Sequence, residues 1–415
     1  MTTRKLIYII ILLLVSVSCR RGMHPLVPED VRHTIHHSGK NYIEFIDAIA
    51  AFQEPQDSLR LNALYYLIGN MKGLGLKTYL LQDAKGNLVD YNITEHESYG
   101  RLMAFKDSID RKNGPVSFLR HYYGNDSYMI SAEDLTHHVD FVFNAWQNNP
   151  WSHAYSFEVF CSKILPYRMN NAHLDSIRQN LNVLKEADFD VKSNDVFLIA
   201  EQVMKKVEQD VTYDKRYLEH PTDRMLRWGE NNQKGRTEDA SVLAVSMLRS
   251  LGIACAIDFV PLPKESVKKV NYWVEVWNAE GKRKSYYPFK DSLQVIQQPV
   301  KVFRKTYKTY NCPLPDDSVY RLLKYQHIMS GKYKDVTSEY RNTVSWRVTP
   351  EQLEEFDKLT PVILYTKTPD GWLPVDWRYF TKPHLFRELS PNRRYALMTA
   401  EGNVLLEKYI PLKTN

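Results

Sequence analysis

Few residues in this 415-residue chain pair a reactive group with a position that could activate it. Thr237, Glu238 and Asp239 stand at the head of a helical pattern. In it Ala240, Leu243, Ala244, Met247, Leu248 and Leu251 recur at steps of three and four. A side chain at that point feels the positive end of the helix dipole. The dipole favours a thiolate, but a threonine hydroxyl stays a weak acid and needs a base. Thr237 is internal, so it lacks the terminal amine on which threonine nucleophiles rely. A histidine such as His220, in the polar loop 210–234, could serve as that base if it came within hydrogen-bond reach. The blander reading is that Thr237 caps or packs the helix start.

The remaining reactive side chains read as structural. Cys161 falls among Phe157, Phe160, Ile164 and Leu165, and Cys255 lies in an almost wholly apolar run, so both are expected to be small buried hydrophobes. Cys312 precedes Pro313 in a loop. With Cys19 set apart, three cysteines remain, an odd number that argues against a disulfide framework. His33, His36 and His37 have helical spacing but not the His-Glu-x-x-His order, and His137-His138 is no better. Surface histidines are expected, with no metal and no cofactor. Twenty-seven tyrosines and eight tryptophans invite a sugar-stacking role, although large aromatics mostly fill cores.

The elements around Thr237 follow in a clear order. Gly252 ends the helix, where a left-handed cap is expected. Residues 253–260 form a buried strand closed by Pro261 and Pro263. A second strand spans 271–277, residues 278–281 give a turn, and a third strand leads into Tyr286-Tyr287-Pro288-Phe289.

Two stretches, Leu248-Arg249-Ser250-Leu251-Gly252-Ile253 and Tyr272-Trp273-Val274-Glu275-Val276, resemble the core of the transglutaminase-like superfamily, a branch of the papain-like cysteine enzymes. That family carries Gly-x-Cys-x-Asp at the helix start, His-x-Trp on the next strand and an aspartate on a short strand after it. Here Thr237 stands in the cysteine slot, Asn271 in the histidine slot, and Lys290 or Phe289 in the region of the aspartate. The resemblance therefore implies a kept scaffold, a helix packed on an antiparallel sheet, with its chemistry lost. Trp228, Asp239, Trp273, Tyr286 and Tyr287 would line what remains of the groove. Residues 63–71, and the series Trp146, Trp151, Phe157, Phe160, Cys161 and Pro166, resemble the helical region ahead of the core in transglutaminase-like proteins of the Bacteroidetes.

Composition fits a folded α+β protein, with 43% hydrophobic and 25% charged residues. The net charge of +6 comes without a dense basic block, so nucleic acid is not expected as a partner. Arg4 and Lys5 precede an apolar run too short to span a bilayer. Ser16-Val17-Ser18-Cys19 then resembles a lipobox, implying an acylated Cys19 as the link to a membrane. Arg20 and Arg21 follow it, with no acidic run, which points to an outer-membrane lipoprotein facing the periplasm.

The chain divides into a signal at 1–19, a helical N-terminal region at 20–190, the core at 191–300, a connector at 301–345 and a C-terminal β-sandwich at 346–415. In the N-terminal region a helix is expected over 28–52, with Tyr42, Phe45, Ile46, Ile49 and Ala50 on one face, and another after Asp57. Short helices are expected near 102–110 and 116–123. A helix capped by Ser131 and Asp134 follows, with the stripe Leu135, Val139, Val142, Phe143 and Trp146. Asn194 or Asp195 opens the helix before the core. Beyond it, strands are expected at 362–365, 372–379, 384–388, 395–399 and 404–410. Two functions fit: a non-catalytic envelope lipoprotein binding a peptide, glycan or protein partner, or a divergent hydrolase or amide-transfer enzyme with relocated catalytic residues.

Overall fold

The computed structural model describes residues 27–90, 99–171, 194–214, 217, 223–224, 226–228, 230–261, 272–289, 299–310, 328, 331–353 and 356–412. It is a mixed α+β chain. The first part comprises α1 (Glu29–His36), α2 (Tyr42–Ala50), α3 (Ser58–Gly69), β1 (Gly75–Asp83), β2 (Leu88–Val89), α4 (Tyr99–Asn113), β3 (Val116–Asn125), α5 (Asp126–Met129), α6 (Ala132–Asn148) and α7 (Phe157–Val159), which runs on into a π-helical turn, Phe160–Ile164. The helices meet around Phe45, Leu64, Leu67, Val139, Trp146 and Phe160.

The capping of α6 is as its sequence predicts. Ser131 Oγ accepts from Asp134 N at 3.0 Å, and the Asp134 carboxylate accepts from Ser131 N at 3.4 Å, so two otherwise orphaned donors are satisfied reciprocally. Two expectations fail here. The helix expected over 28–52 breaks at Ser38-Gly39, where Gly39 takes φ +59, and the phase shifts. Phe45 and Ala48 then face inward, while Tyr42 and Ile46 are left largely exposed. Residues 116–123, expected as helix, lie in strand β3, which pairs antiparallel with β1 from Gly75↔Asn125 to Asp83↔Val116. Val116, Phe118, Tyr122 and Tyr123 are strand formers, and a long partner strand outweighs an aromatic spacing that mimics a helix. The N-terminal region thus contains a three-stranded sheet, β2-β1-β3, among its helices.

The core follows as α8 (Val196–Asp210), β4 (Val211–Tyr213), β5 (Gln233–Gly235), α9 (Thr237–Ser250), β6 (Cys255–Phe259), β7 (Tyr272–Trp277), β8 (Arg283–Tyr286), β9 (Phe303–Lys305) and β10 (Tyr333–Asp335). The last five strands make one antiparallel sheet in the order β10-β9-β6-β7-β8. The segment read as a connector therefore supplies two strands to this sheet. Side chains alternate across it, as a pleated strand requires. Cys255, Ile257, Val274, Val276 and Tyr286 pack on α8 and α9, while Ala256, Asp258, Trp273, Glu275 and Trp277 face the other way.

Helix α9 is buried nearly all round, since the sheet, α8 and the N-terminal helices all cover it. Its Arg249 is buried too, and its guanidinium donates to the carbonyls of Lys163, Pro166 and Cys255 at 3.0, 2.7 and 3.2 Å. The helix ends in a Schellman turn, with Ile253 N bonding Leu248 O and Gly252 N bonding Arg249 O, both at 2.9 Å. Gly252 has φ +75, and a Cβ there would sit 2.9 Å from Ala145 O, so no other residue fits.

The C-terminal strands are β11 (Val344–Val348), β12 (Val362–Thr368), β13 (Gly371–Arg378), β14 (His384–Leu389), β15 (Arg393–Met398) and β16 (Val404–Ile410). The sheets β13-β12-β15-β16 and β11-β14 bury Trp346, Leu364, Val375, Phe386, Tyr395 and Leu397 together. Lys301, only 2% exposed, seals this unit to the core. Its Nζ donates to Arg387 O at 3.3 Å and Glu388 O at 2.8 Å, and it forms an ion pair with Asp335.

Candidate functional site

The head of α9 is shaped by charge. Asp239, 1% exposed, accepts from Arg236 N at 2.8 Å, from Arg236 Nε at 3.0 Å and from Arg236 Nη2 at 2.8 Å. It supplies the acceptor half of a capping box, which Arg236, having no acceptor, cannot complete. Arg224 N also donates to Asp239, and Arg236 reaches Asp223 at 3.3 Å. Burial alone would lower the Arg236 pKa, but Asp239 and then its other acidic neighbours hold it well above the ordinary value. Glu238 is spoken for as well, since Lys305 Nζ lies 2.5 Å from its carboxylate and also donates to Met169 O.

Thr237 sits between these clamps, 2% exposed, with its Oγ1 buried and without a hydrogen-bond partner. One turn on, Ser241 Oγ is equally buried and unpartnered. A hydroxyl becomes a nucleophile only when a base takes its proton. Among the described residues none touches Thr237 Oγ1. Asn271, Lys290, His220, Cys312 and Cys19 lie outside the described residues.

The other groove residues do not converge on one surface. Trp228 packs on the α8–α9 side of the sheet, and Tyr286 donates from there to Phe197 O at 2.7 Å. Trp273, fully buried, points to the opposite face, with the Tyr287 ring 6.1 Å away. Cys161 and Cys255 are buried free thiols, each pushed up to about 12 by burial, so neither is activated. His138 is buried as well and bonds Leu165 O at 2.7 Å. At the end of α1 His37 stacks on His33 and meets His36 edge-on, and no group able to hold a metal ion occurs among the described residues.

Sequence reasoning missed a polar cluster on the far face of the sheet. Asp258 and Glu275, 0% and 1% exposed, are met there by residues from the segment after β8. Arg304 forks onto Asp258 through Nε at 2.8 Å and Nη2 at 2.7 Å, and onto Glu339 at 3.0 and 2.8 Å. Tyr340 Oη lies 2.6 Å from Asp258 Oδ2 and 2.8 Å from Glu275 Oε2. Ser285 Oγ and Trp273 Nε1 donate to the same Glu275 oxygen at 2.6 and 3.2 Å. Arg283 stands 3.6 Å from Glu275 and 3.1 Å from Glu339.

A phenol has one proton and here touches two carboxylates. That proton can serve only one of them at a time, and Asp258 already has the Arg304 fork. Burial first, and the charge of Asp258, push the Glu275 carboxyl above its usual range. The signal was there in the sequence, as two acids inside otherwise apolar strands, but Arg304 and Tyr340, which draw the cluster together, lie 46 and 82 residues beyond Asp258.

The stretch that contains α8, α9 and strands β4 to β8 is also the one that comparison with protein families picks out. Residues 187–290 match the model of the transglutaminase-like superfamily, and the chain carries a domain of that superfamily over this span. No curated protein matches the chain.

Proposed function

We propose that the transglutaminase-like domain is non-catalytic and that the protein is an envelope lipoprotein that binds a peptide, glycan or protein partner. The observation that carries this reading is the state of Thr237, whose hydroxyl is buried, has no partner and sits between carboxylates already committed to Arg236 and Lys305. No described base is in reach, and transfer of the hydroxyl proton is the step on which nucleophilic catalysis turns. Acylation of Cys19 anchors the chain to the periplasmic side of the outer membrane.

The alternative, a divergent hydrolase with relocated residues, has one candidate centre in Asp258, Glu275 and Tyr340. A carboxyl raised by burial beside a second carboxylate suits acid–base work. Both carboxylates are sealed from solvent, however, which leaves substrate no approach.

An amine-incorporation assay and an amide and ester hydrolysis assay on the purified protein test the reading, with a thiol-reactive activity probe alongside. No turnover and no labelling are expected. Turnover that disappears in Thr237→Ala, or in Glu275→Gln, would overturn it. The anchor is tested by labelling with a fatty-acid analogue in a Gram-negative host. The label is expected on the wild type and absent from Cys19→Ala, and equal labelling of both would refute acylation at this residue.

A further inference from the structure

A cleft of about 650 Å³ opens between the N-terminal helices and the β9–β10 side of the core sheet, within the range of small-molecule sites. Tyr65 and Tyr66 of α3, Tyr307, Tyr310, Ala256 and Arg304 line it, and the Tyr66 and Tyr307 rings stack 6.2 Å apart. Lys163, Arg304, Lys305, Lys308 and Lys334 line it, against only two carboxylates, Asp30 and Glu158.

The cations are not equivalent. Arg304 and Lys305 are held inward by Asp258, Glu339 and Glu238. Lys163 is half-buried, its Nζ 5.0 Å over the Trp277 ring, and no described carboxylate lies within ion-pair distance. Lys308 and Lys334 are exposed and likewise unpaired, with Lys334 Nζ 5.9 Å from the Tyr310 ring. An ammonium partly withdrawn from water, facing an open cleft without a counter-ion, is a group that an anionic ligand would satisfy.

The shape of the apolar surface narrows the ligand class. Aliphatic side chains are confined to Pro28 and Ala256, the other apolar lining is Cys161 and five aromatic rings, and Asn62 and Asn70 lie among them, while the Tyr307 hydroxyl is spent on Leu67 O. There are no aliphatic pockets to receive peptide side chains. The edge strand β10 has three residues, too few to template an added strand. Flat ring faces beside hydroxyl, amide and ammonium groups suit a pyranose that presents C–H on one face and carboxylate at its rim.

We propose that this cleft binds a short acidic oligosaccharide, with sugar rings against Tyr66 and Tyr310 and carboxylates on Lys163 and Lys334. The proposal deepens the binding reading above by naming its ligand. It is tested by binding alone, at a place Thr237 does not line. Turnover at Thr237 would overturn the non-catalytic reading and leave the cleft proposal standing.

Calorimetric titration of the purified protein with trigalacturonate, maltotriose and triglutamate decides it. Saturable binding of trigalacturonate is expected, with maltotriose and triglutamate both much weaker. Lys163→Gln, and separately the pair Lys334→Gln with Tyr310→Ala, should each raise Kd about tenfold, the loss expected for one charge-assisted contact. Lys334 and Tyr310 are exposed, so that pair keeps the test valid if Lys163→Gln does not fold. The proposal is overturned by no saturable binding of trigalacturonate, by triglutamate binding as tightly, which marks a peptide site, or by variants that bind as the wild type does.

Discussion

Replacing Arg304 by methionine is the most informative perturbation of this fold. The arginine makes four hydrogen bonds, two to Asp258 at 2.8 and 2.7 Å and two to Glu339 at 3.0 and 2.8 Å, and its guanidinium lies 4.5 Å over the Trp277 ring. Glu339 keeps Arg283 and is partly solvated. Asp258 is fully buried and keeps only the Tyr340 hydroxyl at 2.6 Å. Removing one partner of a buried pair leaves an uncompensated charge and costs about 3–5 kcal/mol. That is a large share of a total stability of about 5–15 kcal/mol. Replacing both partners, Arg304→Met with Asp258→Leu, removes the stranded charge and is expected to recover most of the loss. Urea unfolding followed by tryptophan fluorescence measures all four corners of this cycle. A loss below about 1 kcal/mol for Arg304→Met would mean the pair behaves as a solvated surface bridge. That result, or a double variant no more stable than the single one, would refute the reasoning.

Three further outcomes follow from the same physics. Burial holds the His138 imidazole down to about 4, so its contribution is full above the unfolded value and is lost as pH falls toward the folded one. Taking about 6.5 for the unfolded chain, acidification from about pH 7.5 to pH 5 should remove about 2 kcal/mol through this group. Unfolding curves of the wild type should show this loss and those of His138→Gln should lack it, and parallel losses would be contrary. Glu275 shifts the other way, with a folded pKa above the unfolded one, so its stabilising share is full in acid and fades as pH rises through the folded value. Glu275→Gln should therefore flatten the decline that sets in as pH rises above the ordinary carboxylate range in the same measurement, and an unchanged slope would count against a raised Glu275 carboxyl. Thr237→Val removes a buried hydroxyl that has no partner, and should raise stability by about 1 kcal/mol without changing ligand binding. A destabilised variant would mean that the hydroxyl has a partner after all.

The elements that could be read from the sequence are those whose pattern is dense and local. The 3.6-residue stripe of α9, the Ser131–Asp134 cap and the helix stop at Gly252 all announce themselves within a few residues. Strands β9 and β10 do not, because three residues carry no period and their pairing is decided by partners far along the chain. Strand β3 departs from its local reading for a related reason, since its fate rests on β1, fifty residues earlier in the chain by the pairing of Asn125 with Gly75. The slot at Thr237 was legible as a position, but the clamps around it come from Asp223 and Lys305 and follow no local rule. The cluster at Tyr340 and the cleft beside Tyr307 were invisible because they assemble from segments that meet only in three dimensions.

Lys301 gives the boundary between core and C-terminal sandwich a particular mechanical character. Pulling the two apart would strip a nearly dry ammonium of both its peptide carbonyls and leave it with one aspartate. The junction is a weld and not a hinge. Heat or force applied to the strands from β11 onward is passed straight into the sheet that carries Asp258, and shortening the chain at this seam would unsettle the polar cluster along with the strands that were cut away.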